Sequence, residues 1–125
     1  HPSGTVRPLA VQTLQAMGMP TAGLHSKDWS FFERPDAPRL DFVITVCDQA
    51  AGEVCPLWPG QPLTAHWGVA DPSAVQGSEE QQARAYRDTA LVLKRRIELM
   101  LALPLHSLAG LSLQREIDRI GTTAP

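Results

Sequence analysis

The sequence predicts an α/β fold, because strand-like and helix-like segments alternate along the chain. Residues 40–46 (LDFVITV) are β-branched and almost wholly apolar after Asp41, the pattern of a strand covered on both faces in a parallel sheet. Residues 63–67 (LTAHW) form a second, shorter strand. Behind Ser78, apolar residues recur in alternating steps of three and four, as on one face of a helix.

Taken in order, residues 8–17 place Leu9, Leu14 and Met17 at helical spacing, with Pro8 suited to the first turn and Gly18 to the stop. After MPTAGL, Ser26 is the expected cap of a brief helical turn through Asp28, Trp29 and Phe32, closed by Pro35 and Pro38. The first strand follows. Residues 47–62 then carry Gly52, Pro56, Pro59, Gly60 and Pro62, which excludes a regular element and predicts a long loop. Loops of that length in compact domains tend to carry function. Beyond the second strand and GVADPSAVQGS, Ser78 and Gln81 form a capping-box pair. The main helix behind them carries Ala83, Tyr86, Ala90, Leu93, Ile97 and Met100 and ends before Pro104. A last helix over 112–120 has Leu113, Ile117 and Ile120 on one face and Gly121 as its stop.

A chain of 125 residues makes one domain, residues 1–125, large enough for a core and too small for two. Its formal net charge of -2 gives no electrostatic footprint for nucleic acid or an anionic membrane. No apolar run approaches the ~20 residues that span a bilayer, and residues 1–20 lack the pattern of a secretion signal. A cytoplasmic location is the expectation. The chain opens on His1 and HPSGTVRPLA, which reads as the middle of a longer protein.

The two cysteines, Cys47 and Cys55, both lie on the loop beyond the first strand. Open parallel sheets place ligands and reactive groups at the carboxyl ends of their strands. Drawn straight, eight residues would separate the two Cα atoms by roughly 26 to 29 Å. A disulfide needs about 5.5 to 6 Å, so the loop has to fold back for the sulfurs to meet. Gly52, Ala50 and Ala51 make the bend feasible. A bond closing so short a loop costs little entropy and suits reversible switching. Two other readings stand beside it. Cys47 is a small buried hydrophobe and Cys55 an incidental loop residue, or Cys47, Cys55 and His66 bind zinc, although no short finger-type or ribbon-type spacing is present.

In AHWGVADPS, Pro72 restricts Asp71 to an extended backbone and so fixes where its carboxylate points, as a general acid requires. The plain alternative is an Asp-Pro turn. His66 and Trp67 share the element that leads into this loop, and His66 is expected to be a hydrogen-bonded structural residue that supports it. Trp58 and Pro59 are expected to cover the cysteine loop. Lys94, Arg95 and Arg96 read as a solvated helix face with acidic partners such as Asp88 and Glu98.

Together, FVITVCDQAAGEVCPLWPGQPLTAHWGVADPSA resembles the thioredoxin-coupled arsenate reductases, which share their fold with the low-molecular-weight tyrosine phosphatases. The likeness continues through the long helix, the LALPL turn and the closing LQREIDRIG. HPSGTVRPLA and GLHSKDW are similar to the family's stretch after its second strand, so the resemblance covers the whole chain. It implies part of a three-layer parallel sheet of the low-molecular-weight phosphatase type, with the first strands upstream of His1. It also implies a relay in which a nucleophilic cysteine of a C-x5-R loop attacks arsenate. Cys47 then displaces arsenite by attacking that cysteine, and Cys55 takes over the disulfide and presents it to thioredoxin or a similar thiol reductant. Asp71 matches the family's loop acid, and no bound cofactor or metal is implied.

The chain departs from the family at one point: neither cysteine is followed six residues later by arginine, so no C-x5-R occurs in the sequence. The oxyanion-cradling N–H groups are therefore outside it. The expectation is an N-terminally truncated reductase that is inactive alone, the alternatives being a phosphatase-like hydrolase and a catalytically inactive binding module. Without the family's interior first strand, the chain is expected to be marginally stable or to self-associate.

Overall fold

A computed structural model describes residues 4–46, 61–108 and 110–123. Among them are three α-helices and a two-stranded parallel sheet: α1 (Pro8–Ala16), β1 (Phe42–Thr45), β2 (Leu63–His66), α2 (Glu79–Leu101) and α3 (Gly110–Ile120). The α/β class follows as the hydrophobic patterning predicts. The register is Phe42 opposite Leu63 and Thr45 opposite His66. Leu63 N–H donates to Asp41 O at 3.0 Å and Trp67 N–H to Thr45 O at 2.8 Å, so ladder bonding runs past the start of β1 and the end of β2.

In β2 the side chains alternate between half-buried and exposed, as a period of two requires, whereas all four residues of β1 are half-buried. That is less cover than a strand enclosed on both faces receives. Phe42, Ile44, Leu63 and Ala65 pack on a core of Trp67, Ile117 and Ile120. Trp67 lies just beyond β2, and its indole Nε1–H donates to Ile117 O at 2.9 Å. Trp67 is thus the centre of the core. Gly121 lets α3 end against it: a Cβ there would lie 2.6 Å from Trp67 Cδ1 and 3.2 Å from His66 O.

Helix α1 stops at Gly18, whose φ of 77° is one that a side chain disfavours. The short turn that follows is a 3-10 turn, Trp29–Phe32, and its cap is Asp28 rather than Ser26. Asp28 is two residues before Ser30, within reach of the Ser30 N–H at 2.9 Å. Helix α2 begins on the predicted capping box: Gln81 N–H donates to Ser78 Oγ, and Ser78 N–H donates to Gln81 Oε1. Helix α3 starts two residues earlier than its apolar face suggests, at Gly110.

The basic run on α2 divides. Lys94 pairs with Glu98 at 2.8 Å, while Asp88 makes no ion pair among the described residues. Arg96 corrects the solvated-face reading, because it is only 8% exposed. Its guanidinium donates to Gly68 O at 3.4 Å and Thr123 O at 3.3 Å, tying α2 to the segment after β2 and to the end of the described chain.

Candidate active site

The carboxyl ends of β1 and β2 lie side by side, with His66 at the end of β2. Thr45 Oγ1 and His66 Nδ1 are 2.7 Å apart, one hydrogen bond across the last register pair. His66 is therefore hydrogen-bonded, as the sequence suggests. Pairing continues one step further, Val69 N–H donating to Val46 O at 2.9 Å. Val46 immediately precedes Cys47 in sequence, and Val69 lies two residues before Asp71. Cys47 and Cys55, with Trp58 and Pro59, lie outside the described residues, as does the zinc reading that uses the two thiols. Among the described residues, no group of three or more His, Cys, Asp or Glu is placed to hold a metal.

Asp71 is exposed and caps a one-turn 3-10 helix, Pro72–Ala74. Its Oδ1 accepts from the Ser73 hydroxyl at 2.6 Å and the Ser73 N–H at 2.9 Å. These two bonds, side chain first, hold the carboxyl below its ordinary range, and the charge of Arg7 adds slightly in the same direction. The Asp-Pro turn and the fixed carboxylate are thus one feature. Because the bound form is the ionised one, Asp71 has to gain a proton before it can give one. Sequence reasoning missed Ser73 and Arg7. The D-P-S spacing was the available signal for Ser73, whereas Arg7 reaches the turn only through tertiary packing.

Beneath the turn is a cleft of about 270 Å³ lined by Arg7, Leu9, Pro72, Ser73, Gln82 and Tyr86. A larger groove of about 520 Å³ runs between α1 and α2, past Leu14, Met17, Met19, Leu93 and Ile97. No described helix is long and apolar enough to cross a membrane.

The fold and site define an α/β protein whose candidate chemistry sits where two parallel strands end. The sequence model of the low molecular weight phosphotyrosine protein phosphatases matches residues 1–116, and the chain belongs to that family. It is similar to an arsenate reductase of Halalkalibacterium halodurans, 28% identical over 93 residues, which make up 74% of this chain and 64% of that protein. An arsenate reductase of Bacillus subtilis is 30% identical over 77 residues, 62% of this chain and 52% of that protein. A third, of Shouchella clausii, is 43% identical over 42 residues, 34% of this chain and 30% of that protein. The chain thus spans less than two thirds of the length of these curated relatives.

Proposed function

We propose that the chain carries the resolving half of an arsenate-reducing thiol relay, with Cys47 and Cys55 as its redox pair and Asp71 as its proton-handling carboxylate. The observation that carries this reading is the Val69 to Val46 hydrogen bond, which seats the Asp71 loop beside the residue before Cys47. The arsenate reductase names of the relatives supply the substrate class.

In this reading a thiolate from a C-x5-R segment bonds to the arsenic of arsenate, and one oxygen leaves as water. The Cys47 thiolate attacks the sulfur of that adduct. A disulfide forms, the sulfur–arsenic bond breaks, and its electron pair reduces arsenic(V) to arsenite. Cys55 then attacks Cys47, releases the first thiolate and leaves a Cys47–Cys55 disulfide, which a thioredoxin-like dithiol reduces with two electrons.

The test is arsenate-dependent oxidation of reduced thioredoxin by the protein carrying the C-x5-R segment. Cys55→Ser is expected to permit one turnover and block the second; unchanged multiple turnover would sink the relay. The family description favours a second reading, a phosphatase that uses neither Cys47 nor Cys55 in catalysis. Aryl phosphate hydrolysis that survives loss of both thiols is its signature.

A further inference from the structure

Both hydrogen bonds that Ser73 gives to Asp71 end on the same oxygen, Oδ1. Among the described residues no donor reaches Oδ2. The backbone of the turn is fixed independently, by the Pro72 ring and by Ala74 N–H donating to Asp71 O at 3.1 Å. The Ser73 hydroxyl is therefore not needed to form the turn, and its bond acts on the carboxylate alone. Ser73 is half-buried against the cleft, while Asp71 is exposed, so the anchor is sheltered and the anchored group faces outward.

We infer that Ser73 is the positioning residue of Asp71: it occupies Oδ1 and leaves Oδ2 as the one oxygen that exchanges a proton with a bound oxyanion. This rests on the reading of Asp71 as the proton-handling carboxylate. A proton that reaches Oδ2 when the C-x5-R thiol ionises to the attacking thiolate departs with the leaving oxygen as water, so the carboxylate ends the step ionised, as it began. The other groups around the cleft are the Arg7 guanidinium, from the residue before α1, and the Tyr86 hydroxyl of α2. Arg7 also favours the ionised carboxylate.

The experiment is a carbon-13 NMR titration of the Asp71 carboxyl in the wild-type chain, Ser73→Ala and Ser73→Thr, each with its thermal midpoint. Ser73→Ala is expected to move the Asp71 titration upward, toward that of an ordinary carboxyl, and to average its χ1 couplings. Ser73→Thr keeps the hydroxyl and should restore both, with the thermal midpoint little changed throughout. An Asp71 titration and χ1 coupling that are the same in Ser73→Ala and wild type would overturn the inference. Asp71→Asn in the protein carrying the C-x5-R segment separates this from the underlying reading. If arsenate reduction is indifferent to Asp71→Asn while Ser73→Ala still moves the titration, the proton-handling reading fails and only the anchoring stands.

Discussion

A methyl group on Gly121 would fall 2.6 Å from Trp67 Cδ1, inside any real contact distance, and 3.2 Å from His66 O. The indole cannot retreat without giving up its bond to Ile117 O, so Gly121→Ala is expected to destabilise by about 1 to 3 kcal/mol, the usual cost of overpacking. Urea unfolding followed by tryptophan fluorescence measures it. Glu98 supplies a pH prediction at the same scale. The Lys94 hydrogen bond, then the Lys94 charge, lower its pKa, so the folded value lies below the unfolded one. Its contribution is present above the unfolded pKa and is lost as pH falls through the folded value. The thermal midpoint of the wild type should therefore drop more than that of Lys94→Met between pH 7 and about pH 3.5, a range that spans ordinary carboxyl titration. Equal drops would remove the pair from the stability of α2.

At the scale of elements, sequence legibility follows the range of the interaction. The capping box of α2 was legible because Ser78 and Gln81 satisfy each other within four residues. Ser78→Ala should cost about 1 kcal/mol by leaving the Gln81 N–H to water, checked by thermal unfolding. The turn at Trp29–Phe32 was legible too, but not its cap, since Ser26 and Asp28 are equally good caps by composition and only backbone geometry puts Asp28 in reach of Ser30. Arg96 was misread because its burial depends on Gly68 and Thr123, more than twenty-five residues away on either side. The sites followed the same rule: the Asp-Pro step marked the Asp71 turn, Ser73 one residue on was overlooked, and the approach of Arg7 belongs to packing. Arg96 also poses a question of magnitude. Its two bonds are long, its Nε has no partner among the described residues, and burying a guanidinium without a carboxylate costs desolvation energy. Arg96→Met gives up the bonds and relieves the buried charge, so stability should change by less than about 1 kcal/mol. Faster amide exchange at Val69 should accompany that small change if Arg96 holds the base of the Asp71 loop. Unchanged exchange would make Arg96 a packing residue only.

For the whole molecule, the buried hydrophobic side chains among the described residues are Trp67, Ile117 and Ile120. Several large ones are open instead, Leu101 at 65% and Leu111 at 77% exposure among them. Ile97, also exposed, lines the apolar groove between α1 and α2. Apolar surface that is already wet in the folded state adds nothing to the heat-capacity increment when the chain unfolds. A chain of 125 residues would ordinarily show roughly 1.5 to 1.9 kcal/mol/K, and scanning calorimetry of this one should give distinctly less. Open apolar grooves also take up ANS, whose fluorescence should rise with the folded chain and fall in Ile97→Gln, which makes one wall polar. The sequence expectation of marginal stability meets its test in the same scan. A full-size increment with no ANS response would mean that the exposed faces of α2 are covered in solution, and the thin core would then be the wrong account of this chain's stability.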